Sequence, residues 1–141
     1  MKIFLTGGTG FVGTFLSQDL AQKGHEITIL TRKKTTPASP HGRVRFVTGD
    51  PKHEGPWMRE VARHDWIINL AGASISTKWT EENKQILYDS RVLTTRNLVA
   101  ALAAGDRRQL FCSTSAPGFY GPRGEEELTK HLFPAGTFSP N

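Results

Sequence analysis

The chain has a single cysteine, no long apolar run and no cluster of metal-ligating side chains. Cys112 is the one cysteine among 141 residues, which excludes an intrachain disulfide and favours a reducing compartment; its place in an apolar run predicts a buried side chain. No apolar run is long enough to span a membrane, and the five histidines are scattered. The sequence therefore predicts no metal site and no membrane partner. A first strand that starts at Lys2 leaves no room for a targeting segment, so a cytoplasmic location is expected.

Positive charge is in moderate excess. The 18 Lys and Arg outnumber the 13 Asp and Glu, for a formal net charge of +5. The basic residues are spread along the chain apart from residues 32–34 and the pair 107–108, and no patch interleaves basic with aromatic residues. This distribution favours a small anionic ligand over nucleic acid. Nothing in the sequence indicates an oligomeric state.

A strand, a glycine-rich turn and a helix follow one another at the start of the chain. Residues 3–5 have strand character, Gly7, Gly10 and Gly13 follow, and apolar residues then recur at helical spacing: Val12, Phe15, Leu16 and Leu20. In this context the first glycine permits a tight turn, the second lets the backbone approach phosphates, and the third lets the helix pack closely. The amides at the helix N-terminus then face an anion. A dinucleotide pyrophosphate site is predicted; the alternative is a glycine-rich loop without a ligand.

The end of the predicted second strand carries cations instead of an acid. Residues 26–31 read as a strand, and Thr31 is followed by Arg32, Lys33 and Lys34. An NAD-specific domain usually has Asp or Glu here to hold the ribose hydroxyls, whereas Arg can pair with a 2′-phosphate. This favours NADP(H) over NAD(H). The alternative is that the three cations form a solvated loop.

Further strands and helices alternate along the chain and predict an α/β fold. Strands are expected at 44–48, 66–70 and 109–113, and a short helix near 56–61. Thr80 is a good N-cap for a helix that runs to about residue 104 with its apolar side chains inward: Ile86, Leu93, Leu98 and Leu102. The prediction is a Rossmann-type, doubly wound parallel sheet in one domain over residues 1–120, followed by an irregular tail over 121–141.

Several motifs in this order resemble one enzyme superfamily. TGGTGFVG, the Gly49-Asp50 turn, NLAG at 69–72 and STSAPGFYGP at 113–122 resemble the extended short-chain dehydrogenase/reductases, in the NAD(P)-dependent epimerase/dehydratase family. NLAGASISTKWTEENKQILYDSR is most similar to a subgroup of "epimerase family" proteins described as nucleoside-diphosphate sugar epimerases. The resemblance covers about residues 1–122. It implies a dinucleotide cofactor and a small-molecule substrate, such as a nucleotide sugar.

The resemblance also implies roles for individual residues. Arg32 matches the adenosine-ribose position, Asp50 the carboxylate that meets the adenine amino group, and Ser115 the catalytic Ser/Thr that hydrogen-bonds the substrate oxygen at the carbon where hydride is lost or gained. Ser90 falls near an asparagine that lines the family's active site. The full implied cofactor site is Gly7, Gly10, Phe11, Val12, Gly13, Arg32, Asp50, Leu70, Ala71 and Gly72.

Each of these roles has a simpler alternative. Asp50 precedes Pro51 and could serve only to shape a turn. Ser90 could be an ordinary serine on the surface of a helix. Ser115 could merely satisfy backbone groups at the end of a strand.

The acid–base pair typical of this superfamily is absent. It is a tyrosine with a lysine four residues later, whereas Val92 follows Tyr88 and Gly124 follows Tyr120 at that spacing. The family's C-terminal substrate domain is also expected to be missing, through truncation, a frameshift or deliberate shortening. Three hypotheses stay open: the cofactor-binding part of an enzyme, a non-catalytic NADP(H)-binding regulatory module, and an inactive fragment.

Overall fold

Eight elements alternate along the part of the chain that the computed structural model describes, which is residues 1–33, 42–114 and the single positions 125 and 127. The strands are β1 (Lys2–Thr6), β2 (Glu26–Thr31), β3 (Val44–Thr48), β4 (Trp66–Asn69) and β5 (Leu110–Ser113). The helices are α1 (Phe11–Gln22), α2 (Met58–Val61) and α3 (Glu81–Ala103). Within these ranges, no helix has both the length and the apolar character needed to cross a bilayer.

The described strands form one parallel sheet in the order β3-β2-β1-β4-β5. Strand β1 is central, and Thr6 at its end is in register with Leu30 of β2 on one side and Asn69 of β4 on the other. Because all the strands are parallel, their carboxyl ends meet along one edge. The predicted Rossmann-type sheet is confirmed, and open sheets of this type bind ligands beyond that edge.

Helices pack on both faces of the sheet, so the fold is doubly wound as predicted. The alternation of side chains along β1 divides the core: Ile3 and Leu5 belong to the cluster under α1, whereas Phe4 belongs to the cluster under α2 and α3. All three side chains are fully buried. A central strand that is apolar on both faces is the pattern expected where helices cover both sides.

Helix α1 turns a different face to the sheet from the one its apolar spacing predicted. Leu16 and Leu20 pack on the sheet, but Val12 and Phe15 are 61% and 64% exposed. The reason is close packing, because the buried positions of this helix are small: Gly13, Ser17 and Ala21.

Two other side chains also differ from the prediction. Ile86 of α3 is 47% exposed and Cys112 of β5 is exposed, although both were expected to be buried. Ile86 lies near the start of α3, beside the carboxyl ends of the strands. Cys112 lies on the edge strand β5, whose far side has no paired strand among the described residues. The N-cap prediction for α3 is confirmed, since Thr80 accepts a hydrogen bond from the Asn83 amide at 3.3 Å.

His64 is a buried titratable side chain beneath the sheet. Its Nδ1 lies 2.6 Å from the Glu60 carbonyl oxygen, which can only accept, so Nδ1 carries the proton. Its Nε2, 2.7 Å from Thr28 Oγ1, then accepts from that hydroxyl. Burial lowers the pKa of His64, although the Glu60 carbonyl bond opposes the shift.

The stability of the fold should therefore depend on the charge of His64. The folded state holds His64 neutral, while the unfolded chain takes up a proton near pH 6.5. Stability from this residue is present above that pH and is lost as the pH falls below it, by up to about 1.4 kcal/mol per pH unit. Urea unfolding between pH 8 and 5.5 should show this slope, which His64→Gln should flatten and His53→Gln, at an exposed position, should leave intact. An equal slope in the His64 variant would contradict the assignment.

Candidate functional site

The turn after β1 is built around Gly7. Gly7 has φ +71°, and its carbonyl accepts a hydrogen bond from the Gly10 amide at 3.0 Å. A Cβ added at Gly7 would lie 2.6 Å from both the carbonyl carbon and the carbonyl oxygen of Leu70. The position therefore requires glycine for two reasons: its backbone is left-handed, and the turn that follows β4 leaves no room for a Cβ.

Gly10 and Gly13 have different tasks. Gly10 is the N-cap of α1 with an extended backbone, and the nearest atom to an added Cβ is the Gly7 carbonyl oxygen at 3.2 Å. A Cβ at Gly13 would collide with that same oxygen and lie 2.6 Å from Gly8 Cα. Gly13 thus lets α1 pack against the turn, whereas Gly10 keeps the space in front of the helix N-terminus free of a side chain.

A groove of about 390 Å³ runs along the carboxyl ends of the strands, in front of the glycine turn. Residues from the turns after β1, β2, β3 and β4 line it together with the first half of α3. The predicted residues among them are Gly7, Gly10, Arg32, Asp50, Leu70, Ala71, Gly72 and Ser90.

One end of the groove is rich in positive charge. Arg32 and Lys33 follow β2, Lys52 follows β3, and Asp50 is the one acid among the described residues that line the groove. Both Arg32 and Lys33 are exposed, so their charged groups are free to meet a ligand. Three cations against one carboxylate make this end attractive to an anion.

Asp50 shapes a turn and also lines the groove. One of its carboxylate oxygens accepts a hydrogen bond from the Lys52 amide at 3.0 Å, which shapes the turn. The same carboxylate lines the groove, where its other oxygen is available to accept from a ligand amino group. Asn97 of α3 holds this turn in place, since its side-chain amide donates to the Pro51 carbonyl at 2.9 Å.

Thr94 of α3 lines the groove, and its hydroxyl oxygen is buried. The residue is 1% exposed, and its Oγ1 has no hydrogen-bond partner among the described residues. A buried hydroxyl without a partner costs about 1–3 kcal/mol.

At the other end, Asn69 joins the ends of three strands. Its side-chain oxygen accepts from Thr6 Oγ1 at 2.6 Å, and its amide nitrogen donates to Ser113 Oγ at 3.2 Å. Its backbone carbonyl accepts from the Thr114 amide at 3.2 Å. Asn69 is 4% exposed and its bond to Thr6 is buried, so these bonds hold the strand ends in a fixed arrangement.

Helix α3 clamps the turn that follows β4. The Ala73 amide donates to Ser90 Oγ at 2.9 Å, and Arg91 Nη2 donates to the Ala73 carbonyl at 3.2 Å. A Cβ at Gly72 would lie 3.4 Å from Arg91 Cζ, so the guanidinium lies directly against this turn. Leu70, Ala71 and Gly72 are therefore held between the glycine turn and α3.

A comparison with known families identifies the one to which the chain is similar. The profile of the NAD dependent epimerase/dehydratase family matches residues 3–140. The chain belongs to this family. Similar members include the epimerase family protein SERP0438 of Staphylococcus epidermidis, 34% identical over 122 residues, and YfhF of Bacillus subtilis, 33% identical over 132 residues. These matches cover 86% and 92% of this chain but 39% and 42% of the two relatives, so the chain spans about two fifths of their length.

Two solved structures share the fold. Human epimerase family protein SDR39U1 (isoform 2), crystallised with NADPH, aligns with a TM-score of 0.71 at 26% identity, over 95% of this chain and 43% of the human chain. UDP-glucose 4-epimerase from Bifidobacterium longum, in complex with NAD⁺ and UDP, aligns with a TM-score of 0.77 at 23% identity, over 97% and 43%. Both solved proteins hold a nicotinamide dinucleotide.

The structure brings most of the predicted site together. Phe11, Val12 and Gly13 are the exceptions, since none of them lines the groove. The side chains of Phe11 and Val12 are 83% and 61% exposed, although their amides start α1 beside the groove, and Gly13 is buried where α1 packs against the turn. Ser115 lies outside the described residues. The neighbouring Thr114 lies at the carboxyl end of β5, next to Asn69.

Sequence reasoning missed four residues: Lys52, Asn69, Thr94 and Arg91. Three of them carried a signal, since Lys52 follows the Asp50-Pro51 turn, Asn69 opens the NLAG motif and Arg91 ends the longer motif over residues 69–91. Thr94 carried none. On an amphipathic helix, which polar residue faces a ligand depends on how the helix lies across the strand ends.

Proposed function

We propose that this chain binds NADP(H) in the groove and forms the cofactor-binding part of an oxidoreductase or epimerase that acts on nucleotide sugars or related small molecules. The observation that carries the proposal is the pairing of a glycine cradle with a cationic end in one groove. Gly10 leaves room for the pyrophosphate before the N-terminus of α1, and Arg32 and Lys33 stand at the end of β2.

The preference for the phosphorylated cofactor follows from charge. The position after β2 lacks an acid, and the cations Arg32, Lys33 and Lys52 surround it. Arg presents paired donors that match two phosphate oxygens. The human relative crystallised with NADPH supports this choice, and the epimerase from B. longum, which holds NAD⁺, shows that the fold accepts either cofactor.

The chain's own residues supply binding and orientation. When bound, the dinucleotide supplies hydride transfer at its nicotinamide. The Leu70–Gly72 turn, held by Ser90 and Arg91, would form the wall of the groove on the nicotinamide side of the cofactor. Ser115, which follows β5 in the chain, is proposed to hydrogen-bond the substrate oxygen. No residue of this chain is proposed for proton transfer.

The second candidate is a non-catalytic NADP(H)-binding module, which would bind the dinucleotide in the same groove. A screen for turnover of sugar nucleotides with NADP⁺ and NADPH separates the two. Dinucleotide-dependent turnover that is lost in Ser115→Ala would support the enzyme. Tight NADPH binding without turnover would support the module.

A cytoplasmic location stays a prediction, and its support is the single cysteine.

Arg32→Ala should reveal the cofactor preference. The parent chain is expected to bind NADPH more tightly than NADH, because Arg32 can pair with the 2′-phosphate. The variant should lose roughly 1.5–3 kcal/mol of NADPH affinity, the range for a hydrogen bond to a charged group, and little NADH affinity. Calorimetric titration of both cofactors measures the difference.

Arg59→Ala is the matched control, since Arg59 is an exposed arginine on α2 away from the groove. It should leave both affinities unchanged. Equal affinity of the parent for NADPH and NADH, or an equal loss for both in Arg32→Ala, would refute the NADP(H) preference while leaving dinucleotide binding itself in place.

A further inference from the structure

A second, smaller cleft opens on the far side of the Leu70–Gly72 turn. It has a volume of about 190 Å³, below the roughly 300 Å³ at which drug-sized sites begin, so it suits one small group and not a dinucleotide. Its walls are Asn69, Thr95, Ser113, Thr114 and Arg91, together with the turn itself. The turn is the shared wall between this cleft and the groove.

Arg91 carries the only formal charge among the described residues that line the cleft. Its guanidinium lies against Gly72, where any side chain would touch Cζ and Nη2 at 3.4 Å. None of the ion pairs within the described part of the chain includes Arg91. A positive charge beside an otherwise neutral, polar cleft creates a local attraction for an anion.

The Arg91 guanidinium has N–H donors that its contacts within the chain do not use. Nη1 donates to the Leu87 carbonyl at 3.1 Å and Nη2 to the Ala73 carbonyl at 3.2 Å, with a longer contact of 3.5 Å from Nη1 to Ser90 Oγ. Arginine has five N–H groups, so these contacts leave at least two for a ligand. The carbonyl bonds also hold the planar group in one orientation, which lowers the entropy lost on binding.

Hydroxyl groups face the same cleft from β5. Ser113 Oγ accepts from Asn69 Nδ2 at 3.2 Å, which leaves its own O–H free to donate. Thr114 Oγ1 donates to the Asn69 carbonyl at 3.3 Å, which leaves its lone pairs free to accept. The cleft thus offers a cation at one wall and a hydroxyl donor and acceptor at the other.

We propose that this cleft recognises an oxyanion of the substrate, a carboxylate or a phosphate, and that Arg91 is the specificity-determining residue that binds it, while Ser113 and Thr114 meet a neighbouring hydroxyl. The proposal rests on the proposed function in one respect: it makes this cleft the substrate side of the turn that separates it from the dinucleotide groove. Its substrate class is a small hydroxylated acid or phosphate ester.

The test is an NMR titration of the ¹⁵N-labelled chain, with and without saturating NADP⁺, using three small probes. Glycolate carries a carboxylate and a hydroxyl, glycolamide is its neutral counterpart, and methyl phosphate carries the alternative oxyanion. Glycolate or methyl phosphate should shift the amides of Gly72, Ala73 and Thr114 and bind at least roughly tenfold more tightly than glycolamide, as one charge-assisted hydrogen bond would give. The tighter of the two anions identifies the oxyanion.

Arg91→Gln should remove this discrimination by weakening the anions alone, and Arg91→Lys, which keeps the charge without the planar fork, should retain part of it. Arg96→Gln, at an exposed arginine of the same helix outside the cleft, should retain all of it. A distorted turn would instead weaken glycolamide and the anions equally, and that result would overturn the assignment, as would equal binding of glycolate and glycolamide by the parent. Failure of NADP⁺ to bind would refute the proposed function, whereas the titration of the dinucleotide-free chain decides the oxyanion site.

Discussion

Gly10→Val is expected to reduce NADPH affinity at least roughly 100-fold, equivalent to about 2.7 kcal/mol, while the domain still folds. Gly10 has φ −81° and ψ 177°, an extended conformation that valine adopts readily. The nearest atom to the new Cβ would be the Gly7 carbonyl oxygen at 3.2 Å, a contact that a shift of a few tenths of an ångström relieves. The γ-methyl groups would then occupy the groove before the N-terminus of α1, where the pyrophosphate is proposed to lie.

Gly105→Val is the control for this prediction. It introduces the same side chain beyond the end of α3, where an added Cβ has its nearest contact at an ordinary 3.5 Å. NADPH titration and thermal unfolding of both variants separate binding from folding. If Gly10→Val folds and binds NADPH like the parent, the groove is not the cofactor site.

Gly7→Ala should affect folding and not binding alone: we expect a loss of stability of about 2–5 kcal/mol. The residue has φ +71°, a region that costs an L-residue about 1–2 kcal/mol. Its Cβ would also lie 2.6 Å from the Leu70 carbonyl carbon and 2.8 Å from the Ala71 nitrogen, and overpacking typically costs another 1–3 kcal/mol. Both neighbours are backbone atoms of the turn after β4, so rotation of a side chain cannot relieve the contact.

Gly24→Ala separates the two contributions to that loss. Gly24 has φ +86° but nothing within 4 Å of an added Cβ, so its variant should lose only the backbone term. Urea unfolding of the two variants, compared at equal m-values, gives the contact term by difference. Equal destabilisation of both would mean that the turns after β1 and β4 do not meet as closely as described.

The two glycines show what one motif can and cannot reveal. The spacing of Gly7, Gly10 and Gly13 predicted a pyrophosphate turn between strand and helix, and the structure places strand, turn and helix there. The spacing could not assign a separate task to each glycine. That assignment depends on Leu70, more than sixty residues away, whose backbone crosses the turn at Gly7.

Local sequence signals determined the elements and much of the site. The bounds of β2 and β3 and the N-cap at Thr80 agree with their predictions, because strand propensity, apolar alternation and capping act within a few residues. Arg32 and Asp50 could be placed at strand ends for the same reason.

Tertiary structure alone decided which distant residues share a site. The order β3-β2-β1-β4-β5 sets the ends of β1, β4 and β5 side by side, which joins Thr6 and Ser113 through Asn69. It also left Cys112 exposed on an edge strand. The packing of α3 beside the strand ends placed Thr94 at the wall of the groove and Arg91 against Gly72. The burial of a side chain and its contacts with distant residues come from packing between elements far apart in the chain. The sequence pattern within one element does not show which other elements pack against it.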